Sequence, residues 1–155
     1  MNVLKERLIK LAATGFGSGL VPVAPGTAGT LAGIPFFFIF SAFPWPAYLF
    51  LLFLFTGAAV YIAAGAEGLF GKKDSPRIVV DEITGFLWTM FSVPPTLACI
   101  FWGFILFRFF DIVKPFPVRI LHDKLPGGYG VVGDDVIAGI YSNIALHVLI
   151  KFCGT

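Results

Sequence analysis

The chain has 155 residues, room for one domain and not for two. Hydrophobic residues make up 57%, charged residues only 13%, and mean hydropathy is +0.89. A soluble domain carries roughly 25% charged residues, so composition excludes a soluble globule and points to an integral membrane protein. The net charge of +2 is too small to call for a nucleic acid partner.

In chain order, the N-terminal MNVLKERLIK is basic like the start of a signal peptide, but the glycine-rich stretch after it offers no sustained apolar run. No cleavage is expected. Apolar segments then run from Ala28 to Phe43 and from Pro46 to Ala66. Pro44-Trp45-Pro46 joins them as a tight turn, with Trp45 and Tyr48 expected as interfacial anchors. A third segment runs from Ile83 to Phe110 and is broken by Pro94-Pro95; a last one runs from Val136 to Ile150. Cys99, expected to pack in an apolar span, and Cys153, near the free end, have no metal-ligand spacing, so no disulfide is inferred.

The third segment reads either as one span or as two short arms folded back at Pro94-Pro95. Charge arbitrates. As one span, it sets Lys5, Arg7, Lys10, Lys72, Lys73 and Arg77 against Arg108, Lys114, Arg119 and Lys124, six against four. As a hairpin, it puts those ten on one side and leaves Lys151 alone across the bilayer. Positive residues collect on the cytoplasmic side, so the hairpin is the expected form. Each arm, about 13 to 15 residues, then reaches only ~20–22 Å of a ~30 Å hydrocarbon core. The expected fold class is all-α, a small polytopic membrane helical bundle with a re-entrant or short helical hairpin broken at Pro94-Pro95.

Five of the nine acidic residues sit at mouths of these segments: Asp81-Glu82, Asp111 and Asp134-Asp135. The hairpin gathers all five on one face. A buried carboxylate stays ionised only if cations gather round it. The plainer reading of each pair is helix capping. A cap needs one residue, however, and adjacent carboxylates repel, so doubling at two helix starts favours a divalent cation. Asp111 ends a helix, where the dipole disfavours an anion; Arg108 and Lys114 lie three residues to either side. They make either a simple ion-pair triad or a metal carboxylate flanked by two cations for an anionic substrate. All-oxygen ligands suit Mg²⁺. His122 and His147 lack zinc spacing, and His147 reads as a packed core residue.

The stretch from Gly15 to Thr30 has too many glycines and prolines for an unbroken helix. It is neither a Walker loop nor a dinucleotide fingerprint. Its backbone N–H groups, with the hydroxyls of Ser18, Thr27 and Thr30, suit a phosphate; equally, it is a close-packed loop in which Gly29 and Gly33 make a helix contact. Pro126-Gly127-Gly128-Tyr129-Gly130 is expected to bend a loop over the acidic site.

Four stretches, GFGSGLVPVAPGTAGTLAGIP from Gly15, IVVDEITGFLW from Ile78, FRFFDIVKPFPVR from Phe107 and GGYGVVGDDVIAG from Gly127, resemble the bacterial phosphatidylglycerophosphatase A family, in the family's order and over most of the chain. The resemblance implies an all-helical Mg²⁺-dependent lipid phosphatase of the cytoplasmic (inner) membrane, acting in phosphatidylglycerol biosynthesis. Its substrate is then phosphatidylglycerophosphate and its surroundings are membrane lipids. In that reading Glu82, Asp111, Asp134 and Asp135 hold one or two Mg²⁺, Asp81 ligates or positions the attacking water, and Lys114 and Arg108 stabilise the transferred phosphoryl group. A homo-oligomer stays open. Histidine, cysteine and D-x-D phosphatase chemistries find no matching motif. The rival class is a small transporter using the acids as a cation site, which calls for carboxylates near the bilayer midplane.

Overall fold

The computed structural model describes residues 3–116 and 127–153. Arg119, His122 and Lys124, weighed above, lie outside the described residues, as does Pro126. The described residues form six α-helices and a 3-10 turn, with no strand. They are α1 (Val3–Ala13), the turn Ser18–Leu20, α2 (Pro25–Ser41), α3 (Trp45–Phe70), α4 (Val80–Thr89), α5 (Leu97–Val113) and α6 (Gly128–Cys153).

The Pro94-Pro95 break is a turn between two helices. Residues 90–96 reverse the chain, Ser92 takes a left-handed backbone at φ 58°, and the Thr96 hydroxyl accepts from the Cys99 amide to open α5. The two prolines supply no amide hydrogen to an unbroken helix and push their predecessors to extended backbone. The arms differ in length, α4 with 10 residues and α5 with 17, or ~15 Å and ~25 Å.

α4 lies inside the bundle, with Val80, Asp81, Ile83, Thr84, Gly85, Phe86, Leu87 and Thr89 all buried. A short enclosed helix strands the carbonyls of its last turn, and its neighbours supply donors. Tyr48 Oη donates to the Leu87 carbonyl at 2.8 Å, and Asn143 Nδ2 donates to those of Thr89 and Phe91, both at 2.8 Å. Tyr48 is therefore buried rather than an interfacial anchor; Trp45 stays exposed. His147 is also exposed, its Nε2 3.3 Å from the Phe91 carbonyl oxygen, and is not a core residue. Cys99 packs in the core as expected.

α6 begins eight residues before Val136. Gly127, at φ 58°, makes the bend, and Gly128 to Gly130 are already helical rather than looped over the site. Tertiary contact overrides propensity here: a Cβ on Gly128 would run into the Val60 carbonyl of α3, so glycine lets the two helices meet. The glycine-rich stretch likewise closes on the segment before α4. Gly15, Phe16 and Gly17 turn the chain with positive φ, and the Val79 amide donates to the Ala13 carbonyl at 2.8 Å. Gly29 and Gly33 make the expected helix contact, facing Val79 and Phe86.

α3 and α6 are long and apolar enough to cross a membrane, with 22% and 28% of their most apolar windows buried in the bundle. Their hydrophobic surface therefore points outward, as do Phe101, Trp102, Ile105 and Phe109 of α5. A small helical membrane protein accounts for that outward apolar surface, which water would penalise at roughly 25 cal/mol per Å².

Candidate active site

Asp81 and Glu82 occupy the first turn of α4. The N-cap is Val79 and no side chain caps this helix, so neither acid is a cap. Asp134 and Asp135 sit in the second turn of α6, beyond capping reach. Two glycines bring the pairs together. Gly85 and Gly139 each follow an aspartate, Asp81 and Asp135, by four residues, which places acid and glycine on one helix face a turn apart. A Cβ on Gly139 would collide with the Gly85 carbonyl and lie 2.8 Å from Trp88 Cβ; one on Gly85 would lie 2.7 Å from the Asp135 carbonyl oxygen. Backbone-to-backbone contact between α4 and α6 thus sets how close Asp81 and Asp135 come.

Oxygens of Asp81, Glu82 and Asp135 lie within 4.8 Å of one another. Asp81 Oδ1, Glu82 Oε2 and Asp135 Oδ2 are buried and meet no hydrogen-bond donor among the described residues. Burial pushes the Asp81 carboxyl well above the usual carboxylate range, and the Glu82 charge beside it adds to the rise. Glu82 is also raised, by burial first, partly offset by its bond to Asp81 and by Arg108. Three clustered carboxylates, each with a buried oxygen that meets no donor among the described residues, suit a hard cation, and the site fits a divalent ion.

The other two acids carry protein partners. Arg108 Nη1 pairs with Asp111 Oδ2 at 2.8 Å, one turn apart on α5. Lys114 does not join them in a triad. It takes left-handed backbone at φ 44° where α5 ends, and its ammonium pairs with Asp134 across on α6. Burial lowers its pKa, but the bond to Asp134 and the fields of Asp134, Asp135 and Asp111 outweigh this and raise it, so the ammonium stays charged. Asp134 Oδ1 also accepts the Asp135 amide at 3.0 Å.

The glycine-rich stretch contributes a residue not singled out from sequence. Gly26, in the first turn of α2, faces the site: a Cβ there would strike Glu82 Oε1 and lie 3.2 Å from both terminal nitrogens of Arg108. Thr27 follows it, half-buried. Thr30 is fully buried and donates to the Gly26 carbonyl at 2.9 Å. Ser18 donates to the Thr14 carbonyl at 3.3 Å, beside the turn at Gly15. Gly26, Gly85 and Gly139 had a sequence signal only in hindsight: each lies inside an acidic or glycine-rich motif, but one sequence does not show which glycine touches what.

The family model described as Phosphatidylglycerophosphatase A matches residues 11–150. The chain belongs to the phosphatidylglycerophosphatase A family. It is similar to the phosphatidylglycerophosphatase A of Escherichia coli K12, 38% identical over 140 residues covering 90% of this chain and 81% of that protein. It is also similar to the Haemophilus influenzae protein of that name, 38% identical over 154 residues and 91% and 88% of the two chains. A Bacteroides thetaiotaomicron relative, provisionally named phosphatidylinositol-3-phosphatase, is 42% identical over 146 residues and 89% and 91% of the two chains. No solved structure matches. As a member of the phosphatidylglycerophosphatase A family the chain is a phosphatase.

Proposed function

We propose that the protein hydrolyses phosphatidylglycerophosphate to phosphatidylglycerol and phosphate, using Mg²⁺ held by Asp81, Glu82 and Asp135 at the cytoplasmic face of the bacterial inner membrane. The observation that carries this reading is the set of three buried, unpartnered carboxylate oxygens, set beside the ion pairs of Arg108 and Lys114. A divalent cation bound there would polarise phosphoryl oxygens and make a nearby water more acidic.

The chain's own groups do the rest. Asp81 positions the attacking water, whose oxygen bonds to phosphorus as the bond to the glycerol oxygen breaks and that oxygen takes a proton. Arg108 and Lys114 neutralise charge on the transferred group, the main task in phosphoryl transfer. Asp111 and Asp134 hold those two cations in place and complete the negative field around the metal. The first turn of α2, at Gly26 and Thr27, lies against Arg108 and supplies N–H groups to a phosphate oxygen. Ser18 and Thr30, already bonded to backbone carbonyls, shape that turn.

The depth of the acids speaks against transport. Asp134 lies six residues into α6, ~9 Å from its start, and the 19 residues from Asp135 to Cys153 span ~28 Å, about one hydrocarbon core. Those lengths support acids at a membrane edge over acids at the midplane. On the cytoplasmic side they face the newly made lipid, and the positive-inside charge count supports that side.

One assay tests the reading: phosphate release from phosphatidylglycerophosphate, phosphatidic acid and phosphatidylinositol 3-phosphate in mixed micelles, with EDTA and with Mg²⁺ restored. Release should favour phosphatidylglycerophosphate, stop with EDTA and return with Mg²⁺. Full release in EDTA would end the metal assignment, and preference for the inositol lipid would end the substrate assignment.

A further inference from the structure

α1 divides into sectors that one soluble or bundled role does not explain. Ile9 and Ala13 are buried, with Ile9 against Gly65 of α3. On the opposite side Leu4, Leu8 and Leu11, spaced by four and three residues, form one row and are 64%, 57% and 48% exposed. Arg7 and Lys10 flank that row and are exposed. The apolar row continues past the helix into Phe16, Leu20, Val21 and Val23, all exposed. With 11 residues α1 is ~16 Å long, too short to cross a ~30 Å core. A groove of about 330 Å³ runs between α1, the 3-10 turn and the end of α3, lined by Arg7, Lys10, Leu11, Thr14, Leu20 and Phe70.

We infer that α1 and the segment 16–23 lie in the plane of the membrane surface as a platform for anionic phospholipid, with one lipid seated in this groove. The leucine row enters the acyl region, while Arg7 and Lys10 take headgroup phosphate at the rim. An apolar stripe flanked by basic residues on a short helix is the pattern of an interfacial helix. Charge complementarity selects an anionic over a neutral lipid. The groove itself is almost wholly apolar, walled by Leu11, Leu20 and Phe70, and suits an acyl chain, while the exposed Arg7 and Lys10 that border it suit the headgroup phosphate.

The platform is tied to the acids. The Ala13 carbonyl at the end of α1 accepts the Val79 amide at 2.8 Å, two residues before Asp81. Docking α1 on the surface therefore holds the start of α4 at headgroup depth, where a lipid phosphate arrives. The inference concerns a surface that includes none of the carboxylates and stands whichever lipid phosphate is hydrolysed there.

The test places a nitroxide at Leu8→Cys in full-length protein carrying Cys99→Ala and Cys153→Ser, with Lys72→Cys as a water-exposed reference. The protein is held in nanodiscs of phosphatidylcholine with or without phosphatidylglycerol. In anionic nanodiscs the Leu8 label should be open to oxygen and shielded from a water-soluble nickel complex. Lipid titration by native mass spectrometry should show phosphatidylglycerol retained, with Arg7→Glu/Lys10→Glu weakening it ~5-fold or more per charge, and phosphatidylcholine unaffected. A Leu8 label as nickel-accessible as the one at Lys72 overturns the proposal. So does a label shielded from both probes with spin–spin broadening, which would mean a second copy covers α1. Equal retention of both lipids by the native chain and the double variant also overturns it.

Discussion

Replacing Gly139 with alanine perturbs one of the two glycine contacts at the crossing of the two acidic helices. The added methyl would collide with the Gly85 carbonyl oxygen and sit 2.8 Å from Trp88 Cβ. Ordinary carbon–carbon contact is ~3.5–4.0 Å, so α4 and α6 must part by about 1 Å. Neither obstacle is a flexible side-chain tip: one is backbone and the other a Cβ atom, so the helices themselves have to move. Overpacking of this kind costs ~1–3 kcal/mol of stability. Asp81 lies one turn from Gly85, and Asp135 one turn from Gly139, so the displacement passes directly to their carboxylates. Mg²⁺ holds its ligands at ~2.0–2.1 Å with little tolerance, and a 1 Å misplacement costs ~10²-fold in rate. The assay is phosphate release from phosphatidylglycerophosphate across a Mg²⁺ titration, paired with Mn²⁺ binding by electron paramagnetic resonance on the same detergent-solubilised protein. Turnover should fall ~10²-fold, and the Mg²⁺ requirement and the Mn²⁺ dissociation constant should both rise. Gly68→Ala, where nothing lies within 4 Å of the new methyl, is the control and should change neither. A folded Gly139→Ala protein with native turnover and an unchanged metal requirement would refute the claim that this crossing sets the site.

The same pair of measurements separates four of the five acids. Asp81→Asn, Glu82→Gln and Asp135→Asn should each abolish detectable Mn²⁺ binding, whereas Asp111→Asn should keep binding and slow release ~10–100-fold. Lys114→Met should keep the metal and lose ~10²–10³-fold in rate; loss of Mn²⁺ binding there would assign Lys114 to the metal site instead. Gly26→Ala sets a methyl against Glu82 Oε1 and beside Arg108, and release should drop ~10–10²-fold, checked by the initial-rate assay against Gly68→Ala. Asn143→Ala removes the amide donor to the carbonyls of Thr89 and Phe91, leaving only His147 Nε2 near the latter. It should cost ~1–3 kcal/mol of stability, read as a lower thermal midpoint by circular dichroism, with the Mg²⁺ requirement unchanged.

The hairpin was legible because its cause is local. Pro94 and Pro95 supply no amide hydrogens wherever they sit, and the tally of lysines and arginines needs only their order along the chain. The grouping of five acids at one end follows from that turn. The start of α6 was not legible: glycines at 127, 128 and 130 read as a loop, and only contact with α3 at Val60 makes a helix there the better use of them. Tyr48 misled for a similar reason, since a tyrosine near an apolar segment's end suits a membrane interface as well as a buried carbonyl, and its partner Leu87 lies 39 residues away.

Composition, proline placement and charge order by themselves determine a small all-α membrane bundle with its acids gathered on one side, because these are sums or local constraints that every conformation shares. Which acids stand unpaired is a tertiary matter. Asp111 and Asp134 find Arg108 and Lys114, while Asp81, Glu82 and Asp135 converge with none of their three buried oxygens answered. That division depends on ångström-scale distances between helices far apart in sequence, set by methyl groups missing from Gly26, Gly85 and Gly139.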